Sequence, residues 1–209
     1  MYGILALAVI ALILLAIPPI FRLAVAARYG KQIGAKALAE QPDHIHLIRA
    51  DERAWKNRNE AAELGEALLG TGFEDAGIYS VDEMKGVVLR LFVRPADAWL
   101  GTVYEHPSVG RWVEISVRFQ GGGGFAVTTL PPNGLEDRPD FPIRRLPGVA
   151  PSALLARMRA EKPEGMPESI SVDRAAERFE AAYAEGIAWR KQHGISQREV
   201  MEVAMKKAA

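Results

Sequence analysis

The sequence predicts an α+β protein: an N-terminal transmembrane helix, then a roughly five-stranded antiparallel meander packed with helices before and after it. Three observations predict it. Residues 3–21 hold no charged side chain, although the chain carries 26 Lys and Arg and 26 Asp and Glu residues elsewhere. Between residues 78 and 130 apolar residues recur at period 2, the period of strands. On both sides of that stretch the apolar spacing returns to the 3.6-residue period of helices.

The N-terminal run ends at Arg22 and carries Pro18-Pro19 near its end. About 20 apolar residues cross a bilayer core of ~30 Å, and prolines are tolerated near a membrane end, where freed carbonyls find water or headgroups. A cleaved secretory signal and a buried core helix are the alternatives. Ala24-Val25-Ala26 resembles a cleavage site, but Met1-Tyr2-Gly3 supplies no basic n-region. A core helix would be apolar on every face. Arg22, Arg28, Lys31 and Lys36 follow the run, and no acid appears before Glu40. The positive-inside rule then puts the C-terminal domain in the cytoplasm, as a single-pass protein of the inner (plasma) membrane. Those four bases are expected at the membrane surface, against anionic headgroups.

Apolar residues at Tyr29, Ile33, Ala37 and Leu38 extend a stalk helix to the stop at Pro42-Asp43. His44–Ile48 alternates as a brief strand or an extended lead-in. Asp51 caps a helix predicted to reach Leu69, and Gly70-Thr71-Gly72 ends it. Five strands follow: Ile78–Val81, Gly86–Arg94, Trp99–Glu105, Trp112–Phe119 and Phe125–Leu130. Short polar links between them make an antiparallel meander, half-covered by helices on one side. Five prolines between 131 and 150 (Pro131, Pro132, Pro139, Pro142 and Pro147) demand an extended excursion rather than a helix or central strand. Ser152–Glu161 reads as a short helix. Ser171 or Asp173 caps a longer one to His193, with Val172, Ala176, Phe179, Tyr183, Gly186, Ile187 and Arg190 along one stripe. Ser196 and Glu199 form a capping-box pattern for a last helix to Lys207. The expected organisation is an anchor at 1–21, a membrane-proximal stalk helix and linker at 22–50, a sheet domain at 51–162, and C-terminal helices at 163–209 packing on that domain.

Zero net charge offers no bulk attraction for nucleic acid, and the absence of cysteine excludes disulfides, thiolate metal sites and a cysteine nucleophile. The Gly121–Gly124 run lacks the Lys-Ser/Thr and helix of a phosphate loop and reads as a hairpin connection. His44 and His46 share a strand face but lack a third metal ligand nearby. Ser116, Ser152, Thr128 and Thr129 have no nucleophile-elbow context. The row Arg90, Arg94, Glu114, Arg118 and Thr128 points outward if the strands pair in order. Arg90, Arg94, Glu114 and Arg118 are the candidate ligand-binding residues, because Arg forks carboxylate or phosphate. The competing reading is a solvated face of cross-strand pairs.

The run Leu68-Leu69-Gly70-Thr71-Gly72-Phe73, then Gly77-Ile78-Tyr79, then a meander ending Ala126-Val127-Thr128-Thr129-Leu130-Pro131-Pro132, resembles uncharacterised bacterial single-pass membrane proteins with a small α+β soluble domain. The resemblance covers about residues 60–160 and implies architecture without an activity. The expectation is a membrane-anchored, cytoplasmic-face binding or scaffolding module, non-catalytic and without cofactor. Its expected partners are the lipid bilayer and a protein or membrane complex, and not nucleic acid. The alternatives are a small anionic-ligand-binding or enzymatic domain using the Arg-lined face, or a secreted domain if the N-terminus is cleaved.

Overall fold

The computed structural model describes residues 19–206. Its first element is a helix, α1 (Pro19–Ala39), followed by strand β1 (Leu47–Ala50) and helix α2 (Arg58–Leu69). Five strands come next: β2 (Glu74–Val81), β3 (Val88–Arg94), β4 (Trp99–His106), β5 (Gly110–Arg118) and β6 (Gly124–Thr128). A proline-rich strap leads to β7 (Ile143–Arg145) and helices α3 (Pro151–Glu161), α4 (Ala175–His193) and α5 (Gln197–Lys206).

The predicted architecture needs two corrections. The expected transmembrane helix at 1–21 lies, for residues 1–18, outside the described residues, and among the described residues no helix is long and apolar enough to cross a membrane. Helix α1 carries Arg22, Arg28, Lys31 and Lys36 and buries a face of Ala26, Gly30, Ile33, Gly34, Ala37 and Leu38. That is the pattern of a helix packed on protein.

The second correction concerns the sheet. It has seven strands in the order β1 to β7 and is mixed rather than an antiparallel five-stranded meander. The five expected strands are β2 to β6, all antiparallel. β1 adds to β2 with Leu47 opposite Val81. β7 joins β6 in parallel, Ala126 opposite Ile143, because the strap returns the chain to the start of β6 before it pairs. Pro142 has no N–H to give, but its carbonyl accepts from Ala126 N at 3.1 Å. Proline therefore sits at the outer edge of the sheet, where the sheet needs only its acceptor.

The described chain divides into two compact units. One holds residues 19–44, Pro132–Arg138 and 182–206. The other, Ile45–Pro131 with Pro139–Ala181, contains the whole sheet. The division falls within α4.

In the sheet unit, one face carries Val88, Phe92, Trp99, Val103, Val113, Ile115, Val117, Phe125 and Val127. Ala61 and Leu68 of α2 and Leu154, Leu155 and Met158 of α3 belong to the same buried cluster. The sequence predicts a half-covered sheet, with helices on one side only and a mixed second face. That second face is buried too: Leu89, Leu91 and Val93 have no exposure, Tyr104 and Thr128 are 1 % exposed and Trp112 3 %. Tyr104 stacks on Trp112 at 4.5 Å between ring centroids, and Phe179 of α4 tilts against Tyr104 at 6.0 Å.

The helix expected from Asp51 starts later. Asp51 Oδ1 accepts from Arg53 N at 2.7 Å and caps only a single 3₁₀ turn, Glu52–Ala54. Lys56 N and Asn57 N then turn to the Glu105 carboxylate, and Asn57 caps α2 through Glu60 N at 3.4 Å.

In the other unit α1 packs on the loop before α5 and on the start of α5. A Cβ on Gly34 would lie 2.8 Å from Ile195 Cβ, and one on Gly30 3.1 Å from Gln197 Cγ. Glycine at both positions lets the backbones approach that closely.

Candidate functional site

The four Arg and Glu candidates do not converge. Register decides this. Arg90 pairs across to Val103, and Val103 to Val113, so Arg90 and Arg94 lie on the α2–α3 face. Glu114 pairs with Thr102 and Thr128, which puts Glu114 and Arg118 on the opposite face.

Each candidate is engaged inside the chain. Arg90 forks Asp75, with Nε at 3.1 Å from Oδ1 and Nη2 at 2.9 Å from Oδ2, and lies 5.0 Å from the Phe92 ring centroid. Burial pushes the Asp75 carboxyl up, but Arg90 and the Gly77 N–H outweigh it and hold it below the ordinary range. Arg94 pairs with Asp97 and sits 5.6 Å over Trp99. Glu114 accepts from the Tyr104 hydroxyl at 3.4 Å. Arg118 lies 5.5 Å over the Phe141 ring. Thr128 is buried and donates to Val113 O at 2.9 Å.

The histidine pair separates as well. His46 Nδ1 binds Glu83, which raises the imidazole above its ordinary value, while His44 is exposed. Among the described residues no group of three His, Cys, Asp or Glu is placed to hold a metal. Gly121, Gly122 and Gly123 all take positive φ (91°, 107° and 72°) in a tight turn, and strand β6 follows. Val113 N donates to Thr129 Oγ1 at 2.9 Å, so Thr129 helps to stitch β5 to the end of β6.

Two buried carboxylates organise the interior, and the sequence reading did not single them out as a pair. Glu105, 6 % exposed, accepts from Lys56 N (2.7 Å), Asn57 N (3.3 Å) and Arg111 Nη1 (2.8 Å). Glu199, 4 % exposed, accepts from Glu136 N (2.9 Å), Ser196 N (2.8 Å), Ser196 Oγ (2.9 Å) and Arg190 Nη1 (2.9 Å). Burial pushes both carboxyls up. The donors win in each case and hold them below the ordinary carboxylate range. The capping-box spacing signalled the Ser196–Glu199 half of the second node. Nothing local signalled Glu136 or Arg190 as its other partners.

Beside the second node lies a cleft of about 430 Å³, lined among others by Lys31, Trp189, Arg190, His193 and Glu199. His193 stacks on Trp189 at 4.4 Å between centroids, and the Arg190 guanidinium lies 4.7 Å over the same indole. Arg190 also reaches Glu136 O and Gly194 O, so its charge is spent on the fold. A second groove of about 300 Å³, in the sheet unit, is lined by Arg174 and Arg178, which pair with Glu177 and Glu168.

The predicted membrane-surface residues fare differently. Arg28, Lys31 and Lys36 are all exposed along α1, and Phe21 and Tyr29 stand out beside them at 58 % and 45 % exposure. The Arg22 side chain lies outside the described residues. Comparison with family models, curated proteins and solved structures found no match. The chemistry of these residues is therefore the ground for a functional reading.

Proposed function

We propose that this chain is a non-catalytic binding or scaffolding module for a protein partner, working at the cytoplasmic face of the inner membrane. One observation carries the reading. The two buried carboxylates, Glu105 and Glu199, are saturated by internal donors and held ionised. A general acid at neutral pH needs a carboxyl pushed the other way. Their geometry suits bracing: each ties together segments far apart in sequence, Glu105 to residues 56–57 and 111, and Glu199 to residues 136 and 190.

With both sheet faces buried, the partner surface lies on the helices of 171–206, where Met205 is 48 % exposed. Crosslinking in native membranes followed by purification and mass spectrometry tests this. One reproducible protein, with crosslinks mapping to residues 171–206, is the expected result. A monodisperse chain that recovers no reproducible partner overturns it.

A further inference from the structure

We propose that the outer face of α1 is a docking surface for an anionic lipid bilayer. This rests on the membrane-side location proposed above and names the surface and the lipid class.

The inner face of α1 is committed to packing on protein. Ala26, Gly30, Ile33, Gly34, Ala37 and Leu38 are buried, and Gly30 and Gly34 are pressed against Gln197 and Ile195. Gln197 Nε2 donates to Ala27 O and fixes the helix's rotation. The residues left outward are then Phe21, Ala24, Ala27, Arg28, Tyr29, Lys31, Gln32, Ala35, Lys36 and Ala39. Four of these are alanines, which let a flat surface approach closely. Three are cations, and no acid precedes Glu40. Two are aromatics of the kind that settle at the headgroup level.

Two of the nearby acids are already paired, while Glu40, directly after α1, is exposed. Asp43 is paired with Lys191 at 2.7 Å, and Glu199 is buried against Arg190. Glu136 lines the cleft beside Lys31 and is the one carboxylate of that cleft not tied up in an ion pair among the described residues. A strip of one charge sign with aromatic residues complements anionic headgroups. The chain's zero net charge makes a nucleic acid the weaker match.

Each base near an anionic surface strengthens partition about fivefold, so removing three weakens it on the order of a hundredfold. The test uses the full chain, with flotation on phosphatidylcholine vesicles with and without phosphatidylglycerol. The readout is the difference between the two compositions, which isolates the charge-dependent part of the uptake. Wild type is expected to prefer the anionic vesicles by about a hundredfold at low salt. That preference should vanish in Arg28→Gln/Lys31→Gln/Lys36→Gln, whose exposed substitutions leave thermal unfolding unchanged. The chain has no cysteine, so Tyr29→Cys carries a single environment-sensitive dye. The dye is expected to shift to the blue on anionic vesicles and not on phosphatidylcholine alone. Equal uptake by both compositions, an anionic preference that survives the triple substitution, or tighter binding to polyuridylate than to vesicles would each overturn the proposal. Crosslinking the triple variant reports separately on the protein-partner reading: loss of lipid preference with the partner retained removes the lipid inference alone.

Discussion

Replacing Glu199 by Gln keeps the side chain's shape and removes its charge, which makes it a sharp probe of the buried node. Four donors converge on the carboxylate: Glu136 N, Ser196 N, Ser196 Oγ and Arg190 Nη1. The amide keeps one acceptor oxygen and turns an NH₂ group toward donors. It also leaves the Arg190 cation, 2 % exposed, with only the carbonyls of Glu136 and Gly194 and one amide oxygen. Breaking a buried pair this way costs about 3–5 kcal/mol. The converse change, Arg190→Met, leaves Glu199 with three donors and should cost about 1–3 kcal/mol. The order of the two is therefore the prediction. Native-state hydrogen exchange on the α5 amides measures it locally, as about two to three and a half orders of magnitude faster exchange in Glu199→Gln. The pH dependence has a definite sign. The folded carboxyl titrates below its unfolded value of ~4.3, so its contribution is complete above that value and is lost as pH falls through the lower folded one. Protection of α5 in wild type should hold from neutrality to about pH 5 and decline below about pH 4. Equal costs for the two variants, or a Glu199→Gln cost under about 1 kcal/mol, would show that the Glu199 carboxylate does not hold the buried Arg190 charge.

Gly34→Ala should destabilise by about 1–2 kcal/mol, because overpacking exceeds the gain in helix propensity: its Cβ would meet Ile195 Cβ at 2.8 Å and Ile195 O at 2.9 Å. Gly30→Ala, whose nearest contacts are Gln197 Cγ at 3.1 Å and Cα at 3.2 Å, should fall within about 0.5 kcal/mol of wild type; urea unfolding of the pair separates the two. Gly124→Ala should cost about 3 kcal/mol or more, since its Cβ would run into Val117 O and lie 2.5 Å from the Phe141 ring. Gly121→Ala, at φ 91° with open space around it, should cost about 1–2 kcal/mol from backbone strain alone; thermal melts of both variants check the contrast. His46 should titrate above ordinary histidine in an NMR pH series, because protonation strengthens its bond to Glu83. That pairing is complete below the ordinary histidine value and is lost as pH rises through the raised one. Glu83→Gln should return the midpoint downward.

Period-2 alternation made β3 and β5 readable, because each is a single strand with residues committed to the two faces. It did not say which faces match across strands. The register of β4 decides that, and β4 is set by the turns at Pro95–Asp97 and 107–109. One residue of shift exchanges the faces, which is how Arg90 and Glu114 came to lie on opposite sides. The start of α2 was hidden for a similar reason. Asp51 is a sound local cap, but Glu105 takes the amides of Lys56 and Asn57 from 49 and 48 residues away. The three residues of β7 carry no strand signal in a proline-rich segment. They become a strand only because β6 offers a free edge to a strap whose ends are already placed. Arg190 was legible as a member of the buried stripe of α4 and illegible as an ion-pair partner, since the stripe reports burial and not what is buried against it.

Burial of both sheet faces bears directly on where this molecule can bind. An exposed sheet face presents a row of side chains at fixed spacing and is a natural platform for a ligand. Here one face is filled by α2 and α3, and the other has Leu89, Leu91 and Val93 fully buried. The arginines that suggested an anion platform instead pack over Phe92, Trp99 and Phe141, with their charges answered inside the chain where the partners are Asp75 and Asp97. Recruiting Arg90 or Arg94 to a ligand would mean breaking an ion pair and uncovering an aromatic ring at once. Arg28, Lys31 and Lys36 carry no such cost. They are exposed on α1, and among the described residues none is held by a carboxylate. The same residue types thus do opposite work in the two units: in the sheet unit cations are consumed in building the interior, and along α1 they remain available to a partner of opposite charge.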